Sequence, residues 1–201
     1  MTILKEIEGV VGEKGLITGK DVLNRKAGIW IDEGINADAI VRPKDTNELS
    51  QILSICNKLN QKVIPHGGLT GLAEGAITSK GQIAISSERM TLIEEVDEVG
   101  RTISVQAGVP LEKVQEEAEK YNLMLPVDLG ARGSCTIGGN ISTNAGGNMV
   151  IKYGMMRDSV LGLEAVLADG QVVSSMNQML KNNSGYDLKQ LFIGTEGTLG
   201  F

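Results

Sequence analysis

The chain has 201 residues, of which 41% are hydrophobic, 22% charged and only 3% aromatic, and its formal net charge is −6. A chain of this length buries roughly 70% of its unfolded surface and needs no disulfide or metal staple, so its core must be built from aliphatic side chains. The acidic balance excludes a nucleic-acid surface, which needs clustered Lys and Arg, and no apolar run reaches the roughly 18 residues of a membrane span.

Residues 1–34 read as a short helix and a connecting segment, with turn signals at Gly12, Gly15, Gly19 and Gly34. Ala39-Ile40-Val41 reads as a strand that ends in the Arg42-Pro43 turn. Asp45, with Glu48 three positions on, is a capping box. Leu49, Ile52, Leu53, Cys56 and Leu59 follow at helical spacing, which predicts an amphipathic helix over 46–60. Val63-Ile64-Pro65, Ile83-Ala84-Ile85, Leu92 to Val96 and Thr102 to Ala107 read as strands, the last two joined by a hairpin turn at Asp97-Glu98-Val99-Gly100. Pro110 opens a helix with Leu111, Val114, Ala118 and Tyr121 on one face. Val160 to Val173 reads as a strand pair turning at Asp169-Gly170. Met155, Met156, Met176 and Met179 are expected to fill the core. This order of elements indicates an α+β fold rather than a regular βαβ series. From Phe192 to Phe201 a glycine-rich loop passes into what reads as the start of a strand, so the chain is expected to stop short of a further domain.

Cys56 and Cys135 fit no disulfide framework and no metal-ligand spacing; both read as reduced thiols of a cytoplasmic protein with no metal site. Glycine carries more information. Residues 65–79 (PHGGLTGLAEGAITS) and 126–150 (PVDLGARGSCTIGGNISTNAGGNMV) contain Arg132 as their one cationic residue. Their glycine content is far above the usual share of about 7%. Glycine lets backbone N–H groups approach a ligand closely, which is how a loop holds phosphate without cationic side chains. Thr70, Ser134, Thr136, Ser142 and Thr143 add hydroxyls, and Asn140 and Asn144 add amides. Such segments are also what ordinary surface loops look like, but two of them, each after an apolar stretch ending in proline, suit a large dinucleotide. Neither the phosphate-loop pattern G-x-x-x-x-G-K-[ST] nor a strand-to-helix G-x-G-x-x-G occurs.

Four stretches in order carry a family resemblance: Val63 through Leu72, matching P-x-G-G-x-T-G; Thr136 through Gly147, matching T-I-G-G-N-x-x-T-N-A-G-G; Tyr153 through Gly170; and Gly185 through Gly200. In these the chain resembles the FAD-binding domain shared by vanillyl-alcohol oxidase, p-cresol methylhydroxylase (PCMH), glycolate oxidase D-subunits and D-lactate dehydrogenases. The resemblance runs from about Ala39 to Phe201 and lies nearest the glycolate oxidase and D-2-hydroxyacid dehydrogenase branch. It implies a two-subdomain PCMH-type FAD-binding domain over 35–201, with FAD between the subdomains. Pro65, His66, Gly67, Gly68, Leu69, Thr70, Gly71 and Leu72 would hold the diphosphate. Asp128, Ser134, Cys135, Thr136, Gly138, Gly139, Asn140, Thr143, Asn144, Ala145, Gly146 and Gly147 would lie along the flavin and ribityl chain. Glu196, Gly197 and Gly200 would approach the adenosine end. His66 stands where the family often has Arg, and Leu69 where it often has a third Gly.

A loop histidine bonded to backbone is the expectation for His66, and a small buried thiol for Cys135. Arg157-Asp158 reads as a structural fork. No residue of the chain is assigned as a catalytic base. The resemblance implies oxidation of a 2-hydroxy acid, of glycolate or D-lactate type, with the substrate groups supplied by a second domain. The alternative is a non-catalytic FAD carrier that passes electrons to a partner protein.

Overall fold

The computed structural model describes residues 2–201. Its first subdomain contains α1 (Ile3–Val11), a 3-10 turn (Glu13–Gly15), β1 (Leu16–Thr18), α2 (Lys20–Leu23), β2 (Lys26–Gly28), β3 (Ile31–Gly34), β4 (Ala39–Val41), α3 (Thr46–Lys58), β5 (Lys62–His66) and β6 (Gln82–Ser86). The second contains β7 (Ile93–Asp97), β8 (Thr102–Val105), α4 (Leu111–Glu119), α5 (Ile137–Ser142), α6 (Val150–Tyr153), α7 (Met156–Ser159), β9 (Leu163–Val166), β10 (Val172–Ser175) and α8 (Lys189–Phe192).

The apolar triplets 39–41 and 83–85 have no polar face because the sheet they form is covered on both sides. Strand order is β1-β4-β6-β5, with β1 antiparallel to β4 and the other neighbours parallel. Side chains alternate between faces. Val41, Ile83 and Ile85 meet Ile7 and Val11 of α1 and Leu49, Ile52, Leu53 and Cys56 of α3. Ile40 and Ala84 point the other way, onto Val22, Ala27 and Ile35. Pro65 lies within β5 and lacks an N–H, which is tolerable because β5 is an edge strand.

The first 34 residues hold more than a helix and a connection. β1 pairs with the buried strand β4, and α1 packs on α3, so this segment supplies part of the core. A three-residue strand has too little periodicity to be read from sequence; its pairing partner defines it. At α3, Asp45 accepts a hydrogen bond from the Glu48 N–H (2.8 Å), but the Glu48 carboxylate reaches back to Lys44 N–H (2.9 Å), one residue outside the expected box. The helix stops at Lys58, short of 60, because Asn60 takes the left-handed angle φ 51°. The Gln61 N–H to Cys56 carbonyl bond (2.8 Å) and the Asn60 N–H to Asn57 carbonyl bond (3.2 Å) close a Schellman end.

The second subdomain packs around Val109, Leu111, Val114, Val127, Cys135, Ile137, Met156, Val160 and Ile193. β7 and β8 form a hairpin whose turn is closed by the Asp97 carboxylate, which accepts from Val99 N–H (3.0 Å) and Gly100 N–H (2.9 Å). The second strand pair begins at Leu163 rather than Val160, since residues 156–159 are helical. Its turn is wider than Asp169-Gly170 alone: Leu167 N–H donates to Gln171 O (2.8 Å), closing a loop around those two residues. Met156 is buried as expected; Met176 and Met179 are more than half exposed and take no part in the core.

Candidate functional site

β5 ends at His66, and residues 67–81 loop out before β6. The loop is tied down twice. His66 is buried and its Nε2–H donates to the Ala76 carbonyl (2.8 Å); burial favours the neutral ring and lowers its pKa from 6.5, against the raising effects of that hydrogen bond and of Glu88. Thr78, also buried, accepts from Asn36 N–H at 3.1 Å. Between these ties, among the described residues, none of the backbone N–H groups from Gly67 through Leu72 donates to a protein acceptor. Consecutive unpaired amides with no cationic side chain beside them are the donor set of an anion cradle. Gly71 sits here with nothing within 4 Å of the position a Cβ would take, so its side-chain face is free. Leu69 has φ 54°, a left-handed angle that costs a non-glycine residue about 1–2 kcal/mol.

The second glycine-rich segment behaves differently: most of its polar groups bond to protein. Gly138 N–H donates to Ala107 O (2.8 Å), and Thr136 caps α5 by accepting from Gly139 N–H at 3.4 Å. The Asn140 side chain, 4% exposed, donates to Cys135 Sγ at 3.6 Å instead of facing outward. Thr143 Oγ1 donates to Gly139 O (2.9 Å), and Asn144 Oδ1 accepts from Arg157 N–H (3.0 Å). The sequence could not reveal these protein partners, because an Asn or Thr in a loop suits protein or ligand equally. Cys135 is buried, and burial raises its pKa, which leaves a protonated thiol. Asp128 Oδ1 lies 3.3 Å from Arg132 Nη1, and its main-chain carbonyl accepts from Asn148 N–H (3.3 Å), closing the segment on itself. At Gly146 a Cβ would sit 3.3 Å from Met155 Sδ, and at Gly147 (φ 120°) it would strike the Asp128 carbonyl; the neighbouring Ala145 accepts from Met156 N–H (2.9 Å).

The three segments expected to share one ligand meet. A Cβ at Gly67 would lie 2.8 Å from Thr136 Oγ1, and one at Gly68 would collide with the Ser134 carbonyl. Gly68 therefore lets two backbones touch. On the other side, Glu196 N–H donates to Ser142 O (2.8 Å), Gly194 N–H to Ile141 O (3.1 Å), and the Glu196 carboxylate lies against Gly75. Gly197 and Gly200 pack on Pro65 and on the Phe192 ring. Thr70 is half-buried, and Leu72 and Ser134 are exposed at the surface of the loops. Arg157 acts as a fork, donating to Gln190 O (3.2 Å) and Ile193 O (2.6 Å), while Asp158 accepts from Met155 N–H (2.7 Å). Among the described residues no group of three His, Cys, Asp or Glu is placed to hold a metal, and no helix is long and apolar enough to cross a membrane.

A family model described as FAD binding domain matches residues 37–175. The chain is 46% identical over 186 residues to the mitochondrial D-2-hydroxyglutarate dehydrogenase of Danio rerio, covering 92% of this chain and 35% of that protein. It is 46% identical over 165 residues to the D-2-hydroxyglutarate dehydrogenase of Xanthomonas citri pv. viticola (82% and 35%), and 40% over 200 residues to that of Stutzerimonas stutzeri (99% and 43%). The chain thus spans between a third and a half of the length of these curated relatives. Among solved structures, alkyldihydroxyacetonephosphate synthase superposes with a TM-score of 0.83 at 22% identity, covering 98% of this chain and 37% of that one.

Proposed function

The chain belongs to the FAD binding domain family, and from that membership we propose that it is the cofactor-holding part of a dehydrogenase that oxidises a 2-hydroxy acid to the 2-oxo acid. Its fold is the PCMH-type α+β arrangement and its cofactor is FAD. The single observation that carries the assignment of the site is the run of unpaired amides from Gly67 through Leu72, which suits a diphosphate. Bound FAD supplies the two-electron acceptor; the residues bind it, orient it and limit water around it.

In this reading the backbone of 67–72 holds the diphosphate. The Ser134-to-Gly147 segment forms the wall along the flavin and ribityl chain, and Glu196 to Gly200 close the adenosine end. The buried side chain of Asn140 and the Thr143 hydroxyl bonded back to Gly139 O serve by fixing that wall, leaving backbone and Ser134 to face the cofactor. The substrate class rests on the relatives' names, and among 2-hydroxy acids D-2-hydroxyglutarate is the first to test, ahead of glycolate and D-lactate.

Two measurements test the proposal. The chain titrated with FAD and with FMN should bind FAD far more tightly, since FMN lacks the diphosphate; equal affinities would remove the cradle assignment. The product of the complete encoding reading frame, loaded with FAD and mixed anaerobically with D-2-hydroxyglutarate, D-lactate or glycolate, should lose its oxidised-flavin absorbance with one of them. Bleaching by dithionite alone would remove the substrate class.

A further inference from the structure

Leu69 holds a left-handed backbone angle, and its side chain supplies a reason. Its neighbours in the loop, Gly67, Gly68, Thr70 and Gly71, all have φ outside the left-handed range. One left-handed residue within such a run turns successive N–H groups toward a common side and forms the concave nest that receives anions. Glycine would adopt this angle more easily, but it would also hold it less firmly. Leucine reaches away from the loop and packs, half-buried, against the cluster of Val22, Ala27, Ile35, Ile40 and Ala84. Most of that cluster comes from residues that precede the family match at 37. A Cβ built on Gly28 of β2 would come within 3.7 Å of the Leu69 carbonyl oxygen, so the N-terminal hairpin lies directly against the loop.

We propose that Leu69 is a positioning residue that pre-shapes the diphosphate cradle, with the N-terminal segment of this chain as its anchor. The inference rests on the assignment of residues 67–72 to the diphosphate. An anchored loop occupies its binding-competent form in most molecules. A released loop occupies it in a fraction, and the apparent Kd rises by the inverse of that fraction.

The experiment measures FAD affinity at 25 °C, by flavin fluorescence, for the 201-residue chain and its L69M, L69A and L69G variants. L69M keeps an apolar reach and should bind within about twofold of the parent; L69A should bind about tenfold more weakly, and L69G more weakly still although glycine suits the backbone angle. Heteronuclear NOE values of the 67–72 amides in FAD-free protein should fall in L69G and not in L69M. I52V, in the separate cluster under α3, should lower Tm without moving the FAD affinity. If L69G fails to fold, L69N, which tolerates the left-handed angle but cannot anchor, should show the same loss. An L69G or L69N variant that binds FAD as tightly as the parent overturns the proposal. G71V separates the two failures: if G71V loses FAD while the Leu69 variants keep it, only the anchoring role is wrong; if G71V also keeps FAD, the cradle assignment is wrong.

Discussion

Gly68 and Gly71 lie three residues apart in one loop, yet substituting them should have opposite effects. At Gly71 nothing lies within 4 Å of a built Cβ and φ is not left-handed, so Gly71→Val leaves the fold intact. Restricting the unfolded chain there contributes at most about 0.4–1 kcal/mol of stability. The branched side chain would occupy the space in front of the cradle. If it prevents two amide–phosphate hydrogen bonds, each of about 1.5–3 kcal/mol to a charged group, the loss is about 3–6 kcal/mol. That is a fall in FAD affinity of at least about a hundredfold. At Gly68 the new Cβ would meet the Ser134 carbonyl carbon at 2.8 Å and Cys135 Cα at 2.9 Å, and both are backbone atoms that no rotamer change can move. Gly68→Ala should therefore cost about 1–3 kcal/mol by overpacking and lower Tm even without cofactor. Flavin titration beside thermal unfolding of both variants reads the two effects separately. Unchanged FAD affinity in Gly71→Val, or an unchanged Tm in Gly68→Ala, would refute the assignment of ligand face and packing face.

The lone histidine should leave a pH signature. Burial lowers the folded-state pKa of His66 below 6.5, so the unfolded chain takes up the proton first and stability falls as pH drops below about 6.5. Urea midpoints at pH 7.5 and 5.5 should differ more for the parent than for His66→Gln, and equal differences would show that His66 is not the source. Asp45→Ala removes the acceptor for Glu48 N–H at the start of α3 and should cost about 1 kcal/mol by chemical denaturation; a loss below about 0.3 kcal/mol would mean that water replaces the cap.

Some features of this protein are fixed by short-range chemistry and could be read from the chain alone. The triplets 39–41 and 83–85 are buried strands because no residue in them tolerates water well, and Asp45 starts α3 because its carboxylate satisfies a free N–H. The glycine-rich segments raised the expectation of a phosphate ligand by composition, and the order of their motifs carried the family. The rest depended on partners distant in sequence. β1 exists because Leu16, Ile17 and Thr18 find β4, and the strand order β1-β4-β6-β5 cannot be deduced from any one strand. The two glycine-rich segments look alike in composition but differ in the acceptors around them. Among the described residues none of the 67–72 amides donates to a protein acceptor, whereas Gly138 N–H donates to Ala107 O and the Asn140 side chain to Cys135 Sγ. Glycine itself records only that a side chain is absent. Whether that space stays open or is filled by another stretch of backbone, as at Gly71 and Gly68 respectively, is decided by what the tertiary fold brings opposite.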